Sequence, residues 1–437
     1  MGDTERFEQA RASFLRGVEA YEAQELREAE QHFEAALRLV PGRVSTLTNL
    51  AATRTALHRH AEALPLVEQA LALEPGRPDL LLQHGLVLHA LERFAPALQS
   101  VDAVLREDPA HAGALRLRVR LLGAMERHEE ALASHAALVA LEPGDAEAWL
   151  MQGQCLLILQ RPGDALVSLQ KAVHLAPTES MAWSNLGSAL RDLQRPEEAI
   201  EAFAQAQAVG GDPALAQYHI AALGGGAVPA SAPEQYVRKL FDGYADSFDT
   251  HLVEVLRYEV PQRLVEGLQR LPGFAPGAQA LDLGCGTGLC GPLLAPLYAA
   301  VDGVDLSAPM LERARARGAY RRLLQSDVVA CLASQPPAWD LLLAADLFIY
   351  IGDLVPVFEA SSAAMRHGGL FSFSVEVAPD EGPDYVLLPS MRYAQSAASL
   401  RRLALRHGFE VLQMTPGPLR HELQHEIHGL YVHLRKI

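Results

Sequence analysis

Long hydrophobic runs are missing from this sequence of 437 residues. The longest apolar stretch, residues 341–351, has 11 residues and contains Asp346, whereas a membrane-spanning helix needs about 20. We therefore expect a buried strand there and no membrane span. The N-terminus is charged and lacks the apolar core of a signal peptide, so we expect a cytoplasmic protein.

Cysteine and positive charge are also scarce. The four cysteines have no Cys-x-x-Cys spacing, which excludes a disulfide framework and a zinc site of that type. Lys and Arg number 37 against 53 Asp and Glu, giving a net charge of −16. Nucleic-acid-binding proteins usually carry a basic surface. We therefore predict no metal site and no nucleic-acid partner, while a basic or neutral partner is compatible with the charge.

A period of 34 residues runs through the first half of the chain. The prolines that mark it are Pro41, Pro75, Pro109, Pro143 and Pro177. In units that start at residues 10, 44, 78, 112, 146 and 180, position 20 is always alanine: Ala29, Ala63, Ala97, Ala131, Ala165 and Ala199. Position 8 is mostly small, as at Gly17, Gly153 and Gly187. A fixed period of this length indicates stacked helix pairs, and small side chains let the paired helices approach.

The last unit carries Trp183, Leu186-Gly187, Ala199, Phe203 and Ala206, and with this pattern the array resembles the tetratricopeptide repeat family. The resemblance implies an all-α superhelix over residues 1–223, with six repeats and a cap helix at 215–223. In that family the first helices line a groove that binds peptides, so a protein or peptide partner is expected there. A homodimer held by the array is the alternative.

Residues 224–233 are rich in glycine, alanine and proline, which predicts a linker. Beyond it, apolar runs alternate with helical patterns, and strands are expected at 278–283, 300–305, 323–326, 339–345 and 370–376. This alternation predicts a doubly wound, Rossmann-like α/β domain over 234–437, with ligands at the carboxyl ends of its strands. The histidine-rich tail alternates as an antiparallel hairpin, so its histidines are not expected to bind metal.

An aspartate closes each of the first four predicted strands: Asp282, Asp305, Asp327 and Asp346. Gly284, Gly286 and Gly288 follow the first strand without the lysine that a P-loop requires. Four carboxylates repel a phosphate but suit a ligand with hydroxyls, amines and a positive centre. S-adenosylmethionine is such a ligand, and its own carboxylate suits the helix N-terminus beyond the glycines.

Four runs, 281–288, 304–311, 326–328 and 340–350, resemble the motifs of class I S-adenosylmethionine-dependent methyltransferases. The resemblance implies cofactor binding by Asp282, Gly284, Cys285, Gly286, Gly288, Asp305, Leu306, Met310, Asp327, Val328 and Asp346. Within that set the glycines would hold the methionine part, Asp305 the ribose, and Met310, Asp327 and Val328 the adenine. Residues 241–252 further resemble bacterial methyltransferases that carry tetratricopeptide repeats. Those relatives have a histidine where this chain has Gln395, which removes one possible base.

A helical segment, 234–276, is predicted in front of the first strand. Phe241, Tyr244, Phe248 and His251 recur there at three and four residues, which fits either core or a lid over an organic substrate. The acids on another face, Asp242, Asp246 and Asp249, are expected to face solvent. An acceptor that is not already deprotonated needs a base. The candidates are His251, Tyr244 and Tyr350.

Three hypotheses follow for the function. In the first, a methyltransferase acts on an oxygen or nitrogen nucleophile and its repeats recruit a protein or peptide acceptor. In the second, the acceptor is a small molecule and the repeats mediate dimerisation. In the third, the chain is an interaction scaffold without catalysis, which the intact acids and glycines disfavour.

Overall fold

The computed structural model describes residues 2–245, 248–250, 257–334, 338–422 and 425–437. Contacts divide the chain into two compact units, Met1–Val209 and Gly210–Ile437. Across these described ranges, every helix is too short or too polar to cross a lipid bilayer.

The first unit consists of helices that pair in sequence order, as the 34-residue period predicts. They are α1 (Asp3–Glu22), α2 (Leu26–Leu39), α3 (Val44–Ala56), α4 (His60–Leu73), α5 (Pro78–Ala90), α6 (Phe94–Glu107), α7 (Ala112–Ala124), α8 (His128–Leu141), α9 (Ala146–Ile158), α10 (Pro162–Leu175), α11 (Ser180–Asp192) and α12 (Pro196–Ala208). The turn inside each pair places one non-glycine residue in the left-handed conformation, namely Gln24, His58, Glu92, Glu126, Gln160 and Gln194. This 34-residue recurrence of the turn was not recognised from the sequence.

Small residues bring the helices of each pair together. The alanine at position 20 of every repeat is buried, with at most 2% of its surface exposed. A Cβ added to Gly153 would lie 2.5 Å from Leu169 Cγ, and one added to Gly187 would lie 2.8 Å from the Phe203 ring. The predicted reason for small side chains is therefore confirmed.

The second unit contains the remaining elements. They are α13 (Pro213–Ala222), α14 (Glu234–Asp242), α15 (Phe248–Thr250), α16 (Val260–Gln269), β1 (Gly277–Leu283), α17 (Gly291–Leu294), β2 (Tyr298–Asp305), α18 (Ala308–Ala316), β3 (Arg322–Gln325), α19 (Val328–Ala333), β4 (Trp339–Ala344), α20 (Val355–Ala364), β5 (Met365–Ala378), β6 (Tyr385–Leu387), β7 (Tyr393–Ser396), α21 (Ala397–Arg406), β8 (Phe409–Glu422) and β9 (His425–Lys436). A short 3₁₀ turn, Phe348–Tyr350, follows β4.

The strands form one mixed sheet in the order β3-β2-β1-β4-β5-β7-β6, and the β8–β9 hairpin joins it through antiparallel pairing of β9 with β5. The strands β1 to β5 are parallel, so their carboxyl ends meet at one edge. Successive residues of a strand point to opposite faces of the sheet, and each face has its own core. In β4, Leu342 packs with the rings of Phe371 and Phe373, whereas Leu341 packs with Tyr258 and Leu264. The α/β domain and the closing hairpin were both predicted from the sequence.

The helix assigned to the repeat cap, α13, lies in the second unit instead. The Tyr218 hydroxyl donates to the Met391 carbonyl, and its ring lies 5.5 Å from Tyr236 and 6.1 Å from Tyr393. A tyrosine buried in this way must give its hydroxyl a partner, and here that partner belongs to the second unit. The domain boundaries drawn from the sequence otherwise stay predictions.

Candidate functional site

A glycine turn joins β1 to the short helix α17. Gly284, Gly286 and Gly288 have φ values of 66°, 53° and 87°, the left-handed region that favours glycine. The Cys285 N–H donates to the Val304 carbonyl at 3.0 Å and ties the turn to β2. A Cβ on Gly286 would meet only the Phe248 ring, at 4.0 Å, whereas one on Gly288 would lie 2.8 Å from Tyr320. Gly286 therefore leaves room for a ligand, and Gly288 permits close packing.

Asp305, at the end of β2, faces the glycine turn. Its Oδ2 accepts from the Gly286 N–H at 2.8 Å, and its Oδ1 accepts from the Ser307 N–H at 2.9 Å. Burial raises the pKa of Asp305, and these N–H groups oppose that rise. Each carboxylate oxygen can accept a second hydrogen bond. The side chain is thus fixed with acceptor capacity to spare.

A cavity of about 520 Å³ opens at this edge of the sheet. Most of the residues proposed from the sequence line it: Tyr244, Gly284, Gly286, Asp305, Leu306, Asp327, Val328, Asp346 and Tyr350. They come from the ends of β1, β2, β3 and β4 and from the segment before β1. The structure therefore brings these residues together, although their roles stay predictions.

Other proposed residues lie behind the cavity wall. Asp282 is 1% exposed and accepts from the Tyr320 hydroxyl at 2.7 Å. Burial raises the pKa of Asp282 to about 7. Cys285, Gly288 and Met310 are also absent from the wall, because Cys285 and Met310 point into the core and Gly288 packs on Tyr320. The last candidate, His251, lies outside the described residues.

Aromatic rings from the predicted lid cover part of the cavity. The Phe241 ring lies 5.5 Å from Tyr350 and 6.0 Å from Phe248, which in turn lies 5.3 Å from Tyr244. All four residues line the cavity. The described rings thus form one wall of the cavity, and their role as a lid over a substrate stays a prediction.

Asp242 is exposed and the Asp249 side chain is 46% exposed, as expected for acids that face solvent, but both also form hydrogen bonds within the protein. The Ser307 hydroxyl donates to Asp242 at 2.6 Å, and the Thr287 hydroxyl donates to Asp249 at 2.5 Å. Arg317 forms an ion pair with Asp249. These carboxylates hold the lid segment on the glycine turn and on the start of α18. Asp246 lies outside the described residues.

The predicted linker is partly built into the cavity. The Ala232 N–H donates to the Tyr350 carbonyl at 2.9 Å, and the Gly352 N–H donates to the Ala230 carbonyl at 2.8 Å. The Tyr393 hydroxyl donates to the Pro229 carbonyl at 2.9 Å. Residues 230–232 therefore form a fixed part of the cavity wall, a role that glycine and proline content alone does not reveal.

Sequence reasoning missed a buried ion-pair network below the cavity. Arg420 of β8 is 3% exposed and pairs with Asp346, at 3.0 Å, and with Glu376. Asp346 has a φ of 58°, and its N–H donates to the Ser374 hydroxyl at 2.9 Å. Within the described part of the molecule, Asp346 Oδ1 is buried without a hydrogen-bond partner. A ligand in the cavity can supply that missing donor.

Two polar side chains near Tyr350 complete the site. Gln395 donates to the carbonyls of Ile351 and Gly352 at 3.0 and 2.9 Å, so it holds the backbone after Tyr350. Burial raises the pKa of Tyr350 to about 12, and Arg392 is the strongest group acting against that rise. Tyr350 therefore keeps its proton at neutral pH.

Comparisons with known proteins identify both parts of the chain. Residues 281–371 match the model of a methyltransferase domain, and residues 49–112, 116–180 and 159–216 match a tetratricopeptide repeat. The chain thus carries a tetratricopeptide-repeat array followed by a methyltransferase domain, as the two sequence resemblances implied.

Curated relatives match the second part of that architecture. A malonyl-[acyl-carrier protein] O-methyltransferase from Legionella pneumophila is 34% identical over 149 residues, which cover 33% of this chain and 50% of that protein. A trans-aconitate 2-methyltransferase from Rhodopseudomonas palustris is 28% identical over 173 residues, which cover 38% of this chain and 66% of that protein. A ubiquinone biosynthesis O-methyltransferase from Bordetella avium is 31% identical over 121 residues, which cover 26% of this chain and 48% of that protein. The chain thus spans about half to two thirds of these relatives.

Proposed function

We propose that this protein is an S-adenosylmethionine-dependent methyltransferase that acts on an oxygen nucleophile of a small molecule. The observation that carries the proposal is Asp305, whose two oxygens are fixed by the N–H groups of Gly286 and Ser307 beside the cavity. An acid in this position at the end of a second parallel strand suits a ribose diol. A small acceptor is favoured by two of the relatives' names, trans-aconitate 2-methyltransferase and ubiquinone biosynthesis O-methyltransferase, while the third name is that of a malonyl-[acyl-carrier protein] methyltransferase.

The residues of the cavity fit the cofactor. Gly286 leaves space where a side chain would stand, and the orphaned Asp346 Oδ1 suits the ammonium group. Asp327 uses Oδ1 to cap α19, which leaves its other oxygen for an adenine amine. Bound there, S-adenosylmethionine would supply a methyl group on a sulfonium, which is a good leaving group.

The protein itself would align the reactants and exclude water from them. The rings of Phe241, Tyr244 and Phe248 line the cavity, and Phe248 lies nearest to Gly286. They would exclude water from the reacting groups, and alignment of the reactants can supply much of a rate enhancement. Tyr350 keeps its proton, so it donates a hydrogen bond and does not act as a base at neutral pH. His251 stays a predicted base.

Calorimetric titration with S-adenosylmethionine tests the proposal. We expect the wild-type protein to bind and Asp305→Asn to bind about 10- to 100-fold more weakly, because charged hydrogen bonds are worth about 1.5–3 kcal/mol. Glu312→Gln is the matched control, since it removes one negative charge from an exposed position of α18 and should bind normally. Absence of binding by the wild type would leave only the scaffold hypothesis.

A second candidate keeps the enzyme but gives it a protein or peptide acceptor recruited by the repeats. Exposed apolar side chains on first helices favour it: Leu86, Met151 and Met181 are 39%, 38% and 54% exposed. Incubation with methyl-labelled cofactor and a cell extract separates the candidates, with Asp305→Asn as the blank. Label in protein supports the second candidate, and label confined to small molecules contradicts it. A homodimer and a cytoplasmic location stay predictions.

A further inference from the structure

A buried arginine joins two acids near the carboxyl ends of β4 and β5. Arg420 lies in β8, where the pairing with β9 shifts its register. Its Nη1 donates to Asp346 Oδ2 at 3.0 Å, and its Nη2 donates to Glu376. Asp346 and Arg420 line the cavity, whereas Glu376 is not among the described residues of its wall. The network therefore connects a side chain that a ligand can reach with one behind the wall.

Asp346 is held at its backbone as well as at its side chain. Its φ of 58° lies in the left-handed region, which a residue other than glycine keeps only when its surroundings hold it there. The Asp346 N–H donates to the Ser374 hydroxyl at 2.9 Å, and Arg420 pairs with the carboxylate. The orientation of the carboxylate is therefore set before any ligand binds.

The two oxygens of Asp346 have different roles. Oδ2 accepts from Arg420, whereas Oδ1 is buried and, within the described residues, has no hydrogen-bond partner. A buried acceptor without a donor is unfavourable, and an ammonium group carries three donors. By occupying Oδ2, Arg420 leaves Oδ1 as the oxygen that a ligand in the cavity can engage.

We propose that Arg420 is a positioning residue, which together with Glu376 holds Asp346 so that Oδ1 receives the ammonium group of the cofactor; this rests on the proposed function. A guanidinium suits this role because its N–H groups form a rigid planar fork that can bind two acids at once. Glu376 fixes the far end of the fork, so the guanidinium stays on Oδ2 and does not compete for Oδ1. Arg420 thus acts through Asp346.

The positioning role differs in its consequences from two simpler roles of the same arginine. If Arg420 acted only through its positive charge, it would repel the ammonium group, and its removal would strengthen the binding of that group. If Arg420 only stabilised the fold, its removal would weaken the binding of every cofactor analogue by the same factor. Positioning alone predicts a selective loss of the affinity that the amino group contributes.

Calorimetric titration with two probes tests the proposal: S-adenosylhomocysteine, the demethylated cofactor, and its desamino analogue, in which hydrogen replaces the amino group. We expect the wild type to bind the analogue about 10- to 100-fold more weakly, because a charged hydrogen bond is lost. Arg420→Met should bring the two affinities close together, and Arg420→Lys should retain part of the ratio. Arg435→Met is the matched control, since Arg435 lies in the same hairpin with a partly exposed ion pair, and it should keep the ratio of the wild type.

A second variant, Glu376→Gln, keeps the test decisive because Arg420 is also expected to stabilise the fold. It removes the partner outside the described cavity wall and leaves the arginine in place. The guanidinium is then free to leave Oδ2, so the ratio of the two affinities should fall here as well. Circular dichroism identifies the variants that are folded at the temperature of the titration, and Glu376→Gln decides if Arg420→Met is not among them.

Three results would overturn the proposal. They are a ratio that stays unchanged or grows in the folded variants, a loss of affinity by the same factor for both probes, and equal binding of the two probes by the wild type. The last of these leaves the proposed function standing, since the demethylated cofactor still binds. Failure of the wild type to bind either S-adenosylmethionine or S-adenosylhomocysteine sinks the proposed function itself.

Discussion

The two units of this molecule differ in how far apart in the sequence their contacting residues lie. In the repeat array the interacting side chains are often 16 residues apart, as for Gln152 with Ser168 and Arg118 with Asp102. In the second unit, Tyr218 contacts a residue 173 positions away, and Tyr393 contacts one 164 positions away. The array can therefore form repeat by repeat, whereas these contacts require the second unit to fold as a whole.

The sequence separation at Asp305 is close to that in the array. Asp305 contacts Gly286 across 19 residues, within a single strand-helix-strand unit. The second unit thus depends on contacts of very different range in the sequence. A mutation that breaks a distant contact should weaken the whole second unit, while one in the array should act on its own repeat pair.

The largest expected effect concerns Arg420, whose ion pairs join residues far apart in the sequence. We expect Arg420→Leu to lower the free energy of unfolding of the second unit by about 3–5 kcal/mol, because it leaves the buried carboxylates Asp346 and Glu376 without their cation. Urea unfolding should be followed by Trp339 fluorescence in a background where Trp149 and Trp183 are replaced by Phe, since a chain of two units need not unfold in one step.

The matched control for this prediction is Arg435→Leu. Arg435 lies in the same hairpin, but its ion pair with Glu410 is partly exposed and 3.6 Å long, so its loss should cost at most about 1 kcal/mol. Equal effects of the two substitutions would contradict the distinction between buried and exposed pairs.

The next effect concerns Asp282, whose partner Tyr320 is 38 residues away. The folded-state pKa is about 7 against an ordinary value of 3.8. Between these pH values the unfolded chain has lost the proton and the folded chain has kept it, so stability falls as pH rises. Asp282→Asn removes this contribution, and its stability relative to wild type should rise between pH 4 and 7, by at most about 4 kcal/mol.

The difference between variant and wild type is the quantity to measure, again by urea unfolding and Trp339 fluorescence. His433, whose pKa burial lowers to about 4, stays neutral when folded and makes stability rise with pH up to about 6.5. That opposite trend is present in both proteins and cancels in the difference. A difference that stays constant with pH would show that Asp282 is ionised throughout in the folded protein.

Features that depend on residues close together in the sequence could be predicted, whereas those that depend on distant residues could not. Gly286, Asp305 and Asp346 could be found because each lies at the end of a predicted strand or within three residues after it. The hydrogen bonds of Asp242 and Asp249 could not be foreseen, because helical periodicity does not show that their partners, Ser307 and Thr287, lie 65 and 38 residues away. The sequence around Arg420 holds no signal, since a β-bulge places this residue at the cavity. Only the folded sheet brings it there.

A smaller effect tests the array. We expect Gly187→Ala to lower the stability of its repeat by about 1–3 kcal/mol, because the new Cβ would stand 2.8 Å from the Phe203 ring and a packed interior resists added volume. Trp183 in the same helix reports the unfolding when Trp149 and Trp339 are replaced by Phe.

The control substitution at another helical glycine is Gly163→Ala. Nothing lies within 4 Å of the Cβ that this change adds, so the better helix propensity of alanine should stabilise α10 by about 0.5–1 kcal/mol. For this control the reporter is Trp149, with Trp183 and Trp339 replaced. If Gly187→Ala stabilises its repeat as Gly163→Ala does, Gly187 does not serve close packing.

The smallest effect tests the longest contact. Tyr218→Phe keeps a ring against Tyr236 and Tyr393 but removes the hydroxyl that donates to the Met391 carbonyl. We expect the second unit to lose about 0.5–1.5 kcal/mol, since one hydrogen bond is lost and a buried carbonyl loses its donor. Tyr385→Phe is the control: its ring lies 5.9 Å from Tyr393, and among the described hydrogen bonds none comes from its hydroxyl. A loss confined to Tyr218→Phe would mean that this single distant hydrogen bond stabilises the second unit, whereas equal losses in the two variants would contradict that role.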